Sequence, residues 1–370
     1  MDASTIKDFF KRYDFSFFGI AIVIFLFGII NLYSATHASL NDHHANLYKV
    51  QLGWFFLSLV VGFAISFIQA KNFQRFSWAI YLFNVFLLVL VLFLGHQGMG
   101  ARRWLLLGPI RVQPSELMKL SLVFILARWF SKNSPDQEMG IKELIAPLLL
   151  TLVPTVLTVL EPDLGTGLLL LLIFFIMAFF RKLKWKSLGI IALVGLISGA
   201  AMYQFGLKEY QRNRIKTFIN PTADAKGTGY NAIQSKIAIG SGKFLGKGFR
   251  KSSQASLNYL PENHTDFVFS IYNEEHGFFG SILLIGLYLF LFYRFIWLSM
   301  NVPKIFDSVV IIGLMSIFFW HTFINMGMVM GLLPVVGLPL PLMSYGGSSL
   351  LTFGICCGVA TSISNSRNMF

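Results

Sequence analysis

The acidic side chains of this sequence are few, and the most informative one lies at the edge of a long apolar stretch. Asp266 ends the polar run 260–266 and directly precedes that stretch, so it lies where water meets hydrocarbon. Partial burial raises the pKa of a carboxylate towards the range that suits a general base. The structural alternative is an N-cap, because aspartate is favoured directly before a helix. We take Asp266 as the candidate catalytic residue.

A second polar cluster opens the fourth apolar stretch. Ser115 is typical of a helix start, and Glu116 and Lys119 are then three residues apart on one helix face. An acidic first turn and an intrahelical ion pair would be a sufficient structural explanation. However, Arg111 and Gln113 make the cluster more polar than a helix start requires. Substrate binding therefore remains an alternative for these five residues.

Two carboxylates flank a proline between the fifth and sixth apolar stretches. Asp163 is placed to cap the sixth helix, whereas Glu161 ends the fifth. Two carboxylates at one membrane face can also hold a divalent cation opposite a phosphate. Both interpretations stay open, with Asp163 as the candidate metal ligand.

Other polar residues lie deeper in the apolar stretches. Glu274 and Glu275 follow Asp266 on the same predicted helix, about 12 Å further along its axis. Ion pairs with Lys or Arg from a neighbouring helix explain them at least as well as catalysis does. His321 and Asn325, one turn apart, are interpreted as hydrogen-bonding residues between helices.

The segment 333–349 contains three prolines and three glycines, which exclude a straight helix. Irregular backbone at membrane depth is tolerated where it is buried in protein or lines a cavity. Ser344 lies in this segment and is a candidate substrate-supporting residue.

The elements that must position these residues are apolar helices. The 370 residues are 55% hydrophobic and 13% charged, with a mean hydropathy of +0.66. This composition excludes a soluble globular domain, a disordered chain and a disulfide scaffold. The pattern predicts an all-α polytopic membrane protein, with one domain over 1–370 and one large extracytoplasmic loop over 208–266. About ten transmembrane helices are predicted, at 15–34, 48–68, 77–95, 115–131, 143–161, 164–180, 187–207, 267–297, 307–333 and 347–365.

The distribution of basic residues predicts the orientation. Short loops rich in Lys and Arg place the N-terminal side in the cytoplasm, and ten spans return the C-terminus to that side. The opposite side is nevertheless basic, because the loop 208–266 carries ten Lys or Arg residues, Arg212 and Lys236 among them. Attraction to anionic lipid headgroups would explain this charge, and so would an anionic substrate such as a pyrophosphate.

Several functional classes lack support in the sequence. There is no Walker loop, no dinucleotide-binding fingerprint and no Cys/His spacing typical of a metal site. The adjacent Cys356 and Cys357 are interpreted as small core residues. An organic cofactor and nucleic acid are therefore not expected.

Five motifs of this sequence resemble those of the SEDS family of bacterial cell-wall polymerases. They occur in the family's order and extend the similarity over about 15–365. Within the family, the short N-terminus and the stretch 234–266 are more similar to the elongation branch, RodA, than to the division branch, FtsW. The motifs are Arg111–Glu116, Glu161–Thr166, Gln234–Gly242, Leu260–Phe267, and Leu333–Gly337 continued by Ser344–Ser348.

The resemblance implies a peptidoglycan glycosyltransferase in the bacterial inner membrane, with its active site facing outwards and a role in cell elongation and rod shape. Asp266 would deprotonate the acceptor 4-hydroxyl of lipid II, and undecaprenyl pyrophosphate would leave. The resemblance also implies use of a divalent cation, Mg or Mn, and a class B penicillin-binding protein as partner. The alternatives are a lipid II flippase and a non-catalytic scaffold for a transpeptidase. The supporting positions are Arg111, Gln113, Ser115, Glu116, Lys119, Asp163, Arg212, Lys236 and Ser344.

Overall fold

The computed structural model describes residues 13–37, 46–98, 101–108, 110–133, 138–206, 209–221 and 229–367. Within these ranges the chain is mostly helical, with one small sheet. The long helices are α1 (Ser16–His37), α2 (Leu47–Ser66), α3 (Ala70–Leu94), α4 (Pro114–Asn133), α5 (Ile141–Leu160), α6 (Leu164–Phe180), α7 (Trp185–Ala201, continued by a π-helical turn Met202–Gly206), α11 (Val268–Asn301), α12 (Ile305–Val329) and α13 (Gly347–Arg367).

These ten helices coincide with the ten predicted apolar stretches, which confirms the helical membrane architecture. Eight of them are long and apolar enough to cross a bilayer, whereas α6 is shorter. The helix α4 is not among the eight, and it carries Glu116 and Lys119 near its start and Arg128 and Lys132 near its end. The predicted total of about ten crossings therefore remains a prediction.

The predicted loop 208–266 is itself partly helical. It contains α8 (Glu209–Ile219), α9 (Tyr230–Gly242) and the single turn α10 (Ser253–Ser256). Ser235 of α9 donates a hydrogen bond to the Val329 carbonyl at 2.6 Å, and its hydroxyl lies 2.9 Å from that of Ser270. The helix α9 is thereby fixed to the end of α12 and the start of α11.

A sheet that the sequence did not predict connects α3 and α4. Its strands are β1 (His96–Gly98), β2 (Ala101–Leu107) and β3 (Ile110–Val112), paired antiparallel in the order β1–β2–β3. Gly108, with φ +65°, provides the left-handed position of the turn between β2 and β3. The all-α prediction was incomplete here, because runs of three to seven residues give little periodicity.

The long helices differ in how much of their surface is buried within the described chain. The helices α12 and α13 are largely buried, whereas α7 buries almost none of its surface within the described chain. Gly62 of α2 lies against the backbone of Gly354 and Gly358 of α13, where any Cβ would clash. Small residues allow this close approach between membrane helices. The helices α2 and α13 are therefore closely packed directly after the segment 330–346.

Candidate functional site

Asp266 lies in a series of turns directly before α11. The N-cap of α11 is Phe267, whose side chain makes no capping hydrogen bond, so the N-cap alternative for Asp266 was wrong. Instead, Asn325 of α12 donates from Nδ2 to the Asp266 carbonyl at 2.9 Å and to the Leu338 carbonyl at 2.7 Å. The amide of Asn325 thus fixes the aspartate backbone beside the segment 334–341.

The Asp266 carboxylate makes no hydrogen bond or ion pair with any described residue, although it is half-buried. It lies against Gly337, where a Cβ would be 3.3 Å from Oδ2 and where φ is +79°. Removal from water and the charge of Glu262 raise the pKa of Asp266 to about 6, against the opposing charges of Arg214 and Arg103. Near neutral pH the carboxylate is therefore ionised and also basic enough to accept a proton.

Asp163 caps α6, which is one of the two alternatives that the sequence left open. Its Oδ1 accepts from the Thr166 backbone N–H at 3.2 Å, and its Oδ2 accepts from the Thr166 hydroxyl at 3.0 Å. Gln113 donates from Nε2 to the same Oδ2 at 3.2 Å and to the Ser115 hydroxyl at 3.0 Å. The structure therefore brings three of the predicted site residues, Gln113, Ser115 and Asp163, into one hydrogen-bonded group.

Arg103 is a site residue that sequence reasoning did not select. From β2 its guanidinium donates to the carbonyl oxygens of Glu161, at 3.3 Å, and Pro162, and Nη1 lies 3.9 Å from Asp163 Oδ1. Its charge also acts on Asp266. The basic pair Arg102–Arg103 could have indicated a functional residue. However, the direction of the Arg103 side chain depends on a sheet that the sequence pattern does not predict.

Glu161 is buried next to this arginine, yet neither oxygen of its carboxylate has a hydrogen-bond partner among the described residues. Burial and the charge of Asp163 raise the pKa of Glu161 to about 8, although Arg103 opposes the shift. A carboxyl group in this position is uncharged at neutral pH.

The predicted ion pair in α4 is present and deeply buried. Lys119 Nζ lies 2.7 Å from Glu116 Oε1, and both side chains are almost inaccessible to solvent. Lys119 also lies 2.8 Å from His321 Nε2, and the other ring nitrogen is 3.1 Å from the Pro339 carbonyl. Because Pro339 can only accept, His321 donates from Nδ1 and accepts the Lys119 hydrogen at Nε2. The cluster therefore connects α4 to the segment next to Asp266.

Ser344 supports the same segment. Its hydroxyl donates to the Thr265 carbonyl at 2.6 Å and accepts from the Leu340 N–H at 2.8 Å. The backbone at Asp266 is therefore held at two carbonyl groups, by Asn325 at that of Asp266 itself and by Ser344 at that of Thr265. Both contacts are to the backbone, which assigns Ser344 a positioning role.

The three remaining predicted residues are basic and are not gathered around the carboxylate. Arg111 lies on β3, and its carbonyl accepts from the Ser348 hydroxyl at 3.2 Å. Arg212 donates to the Gln204 carbonyl at 2.7 Å, which directs it towards the end of α7. Lys236 extends from α9 across Gly331. The predicted basic surface is thus divided among separate elements.

Glu274 is paired with a lysine, which agrees with the structural alternative, but this lysine does not belong to a neighbouring helix as that alternative expected. Its carboxylate accepts from Lys247 Nζ at 2.5 Å and from the Ser253 backbone N–H at 3.0 Å. Glu275 accepts from the Ser34 hydroxyl at 2.6 Å. The partner lysine comes from the segment after α9, which lies against a break in α11 at Gly277.

The described residues do not form a preorganised metal site. No group of three or more His, Cys, Asp or Glu side chains comes together within the described ranges. Both oxygens of Asp163 already accept hydrogen bonds from Thr166 and Gln113. The expected use of a divalent cation stays a prediction.

Residues 14–369 match the FtsW/RodA/SpoVE family, described as cell cycle proteins. The chain belongs to this family. As a family member it is 35% identical over 350 residues to the peptidoglycan glycosyltransferase MrdB of Escherichia coli K12, an alignment that covers 95% of this chain and 93% of that protein.

Solved structures agree with this membership. The chain is similar to a solved structure reported as the structural coordination of polymerization and crosslinking by a peptidoglycan synthase complex. The TM-score is 0.81 and the identity 32%, and the alignment covers 96% of this chain and 98% of that chain. It is also similar to the rod shape determining protein RodA of Thermus thermophilus, with a TM-score of 0.72, 30% identity and coverage of 96% and 97%. These alignments cover nearly the whole chain, so family membership rests on the complete fold.

Proposed function

We propose that this family member is a peptidoglycan glycosyltransferase that polymerises lipid II at the outer face of the bacterial inner membrane. The observation that carries the proposal is the Asp266 carboxylate, which is half-buried and has no partner among the described residues. Its pKa of about 6 suits removal of a proton from a hydroxyl group at neutral pH. The name of the Escherichia coli relative supports the reaction class.

In the proposed reaction Asp266 takes the proton of the acceptor 4-hydroxyl. The acceptor oxygen forms a bond to the anomeric carbon of the donor, and the bond from that carbon to the phosphate oxygen breaks. The electron pair leaves with undecaprenyl pyrophosphate, whose charge the basic residues of the outer face would stabilise. Asn325 and Ser344 act as positioning residues, because they bind backbone carbonyls on either side of the aspartate.

We also propose that the protein acts in cell elongation together with a class B penicillin-binding protein. One structural neighbour belongs to a peptidoglycan synthase complex in which polymerization and crosslinking are coordinated, which supports a crosslinking partner. The active site would face outwards, with both termini in the cytoplasm, because the short loops on the N-terminal side are basic.

The test is polymerisation of purified lipid II by the full chain, read as a glycan ladder on a gel. Wild type and Asp266→Asn are compared with and without a class B partner, and with and without a chelator. We expect wild type to form a ladder and Asp266→Asn to form none. The samples with chelator show whether polymerisation requires a divalent cation. If wild type gives no ladder under any condition while bound to an active partner, the proposed reaction is wrong, and a flippase or a scaffold would be the better interpretation.

A further inference from the structure

The segment 243–251 joins α9 to α10 and combines large apolar side chains with basic ones. Its nine residues include three large apolar residues, four basic residues and two glycines, and no acidic residue. The proposed reaction uses none of them. We call this part of the chain the bridging segment, because it contacts two long helices, α11 and α1, that are distant from each other in the sequence.

Backbone hydrogen bonds connect the bridging segment to the break in α11. Directly after the non-helical Gly277, the N–H of Phe278 donates to the Lys243 carbonyl at 2.9 Å. The N–H of Phe279 donates to the Phe244 carbonyl at 3.2 Å. In a continuous helix these two N–H groups would bond to carbonyls one turn earlier, so the bridging segment takes the place of that turn. These hydrogen bonds hold it against α11.

The other end of the bridging segment contacts α1. The ring of Phe249 stacks on that of Tyr33, with 6.5 Å between the ring centroids. Arg250 donates from Nη2 to the carbonyl of His37, the last residue of α1, at 2.9 Å. Tyr33 also packs against Tyr48 at the start of α2. The segment thus reaches an aromatic cluster at this end of α1, and tyrosine is enriched where membrane helices meet the lipid headgroups.

The apolar side chains of the bridging segment extend the exposed apolar surface of α11. Phe244 and Leu245 are 67% and 80% exposed, and the ring centroid of Phe244 lies 6.0 Å from that of Phe278. Exposed apolar residues on a membrane-spanning helix face lipid. The lipid-facing surface of α11 therefore continues onto the bridging segment. The exposed apolar residues of α11 after its break include Phe278, Phe279, Ile282, Leu283, Leu289 and Phe290.

The exposed charge of the bridging segment is basic. Lys243 and Lys251 are exposed, and their side chains make no hydrogen bond or ion pair with any described residue. Lys247 differs, because it is paired with the buried Glu274. Unpaired lysines next to exposed apolar residues match a membrane surface that carries anionic headgroups above its acyl chains.

We propose that the bridging segment lies in the headgroup region of the outer leaflet. There Lys243 and Lys251 bind the phosphates of anionic phospholipids, and Phe244 and Leu245 enter the acyl region. Part of the loop 208–266 is then an element of the membrane surface. The inference goes beyond the proposed reaction. It uses only the proposed orientation, which places the His37 end of α1 on the outer side.

The first test locates Leu245 relative to the membrane. The full chain with Leu245→Cys is labelled with a fluorophore in phosphatidylcholine nanodiscs, and the natural cysteines, Cys356 and Cys357, are buried and should not react. Quenching by a phosphatidylcholine that carries a nitroxide near the top of its acyl chain is compared with quenching by aqueous iodide. Ile282→Cys, on the lipid-facing surface of α11, and Lys132→Cys, at the exposed end of α4, are the references for lipid and water. We expect the label at Leu245→Cys to behave like the label at Ile282→Cys.

The second test measures the headgroup preference at the same label. Quenching by the nitroxide lipid with a phosphatidylglycerol headgroup is compared with quenching by its phosphatidylcholine counterpart. The double variant Lys243→Gln/Lys251→Gln removes both charges, and Lys243→Arg/Lys251→Arg is the matched control that keeps them. We expect the preference for phosphatidylglycerol to fall about fivefold for each charge removed, the effect of one basic side chain at an anionic membrane surface, and to persist in the arginine variant.

Iodide quenching at Leu245→Cys as strong as at Lys132→Cys would place this residue in water and overturn the proposal. If a class B partner then removed the iodide quenching, the surface would be a protein interface instead. An unchanged headgroup preference in Lys243→Gln/Lys251→Gln would overturn the assignment of the two lysines to phospholipid phosphates. Neither test uses polymerisation activity, so these results are separate from a failure of the proposed function.

Discussion

Two acidic regions on either side of the start of α11 have opposite surroundings. Asp266, in the turns before the helix, has a carboxylate without any partner among the described residues. Glu274, two turns into the helix, accepts hydrogen bonds from Lys247, Ser252 and Ser253. The carboxylate of Asp266 is thus available to a ligand, whereas the carboxylate of Glu274 is occupied by hydrogen bonds within the protein. A position near the membrane is therefore not enough to identify a functional acidic residue. The hydrogen-bond and ion-pair partners of its carboxylate must also be known.

The two acidic residues also differ in which of their groups is anchored to the rest of the protein. Asn325 and Ser344 hold the backbone on either side of Asp266 and leave the carboxylate free of partners among the described residues. At Glu274 the side chain itself is the anchor, because it ties the segment after α9 to a helix that breaks at Gly277. We therefore expect substitutions in the first region to affect activity and substitutions in the second to affect stability.

The largest expected effect is on activity in Asp266→Asn. Loss of the base should lower the rate of lipid II polymerisation about 100-fold or more. The fold should persist, because the carboxylate has no partner to lose among the described residues, and removal of a half-buried charge does not destabilise the protein. Glu262→Gln, four residues earlier, is the matched variant and should keep most of the activity. An Asp266→Asn protein that unfolds at lower temperature than wild type would contradict this separation.

Glu274→Gln should destabilise the protein by about 2 kcal/mol, since a charged group with several hydrogen bonds is lost. Thermal melting of the purified chain measures this effect. A second variant, Lys247→Met in the Glu274→Gln background, should add little, because the pair has already been broken. Additive losses of the two substitutions would show that Lys247 and Glu274 stabilise the fold independently.

Smaller shifts are expected in the pH dependence of polymerisation. Glu262 raises the pKa of Asp266 and Arg214 lowers it, so Glu262→Gln should move the midpoint of the profile to lower pH and Arg214→Gln to higher pH. Each shift should be about one unit or less, because Glu262 is half-buried and Arg214 is exposed, so that water screens both charges. Shifts in the same direction for both variants would exclude an electrostatic origin.

The smallest effect is expected for Glu161→Gln near pH 5, where the wild-type carboxyl group is protonated. The folded state retains a proton that the unfolded state loses, because the pKa of Glu161 is raised from 4.5 to about 8. The contribution of this group to stability therefore declines as pH rises from about 4.5 to about 8. Glu161→Gln should remove this decline, as melting temperatures measured across that range would show. A decline of the same size in the variant would mean that another group titrates.

The sequence predicted the features that depend on local spacing. The apolar runs predicted the positions of the ten long helices. Local spacing and residue type offered the pair Glu116–Lys119 and the cap at Asp163, each as one of two alternatives, and both contacts are present. Glu274 was expected to pair with a basic residue, but Lys247 was not identified. Apart from Glu274, whose partner is 27 residues away in the chain, the interacting groups lie close in the chain or belong to a repeating pattern.

The features that were missed depend on distant segments. The contact of Lys119 with His321 joins residues 202 positions apart, and the approach of Arg103 to Asp163 requires the unpredicted sheet. The backbone support of Asp266 by Asn325 is likewise set by how α12 packs against α11. Residue types indicated that these side chains were unusual, whereas only the folded chain shows which of them meet.

The role of Asp266 as the base is best tested by the rate of lipid II polymerisation as a function of pH. The rate is measured from pH 5 to pH 8 at saturating lipid II, with wild type and Asp266→Asn bound to the same partner. We expect the wild-type rate to rise with a midpoint near the Asp266 pKa of about 6, and the variant to be slow and to lack this transition. A folded Asp266→Asn protein with the wild-type rate and the same midpoint would show that Asp266 is not the base.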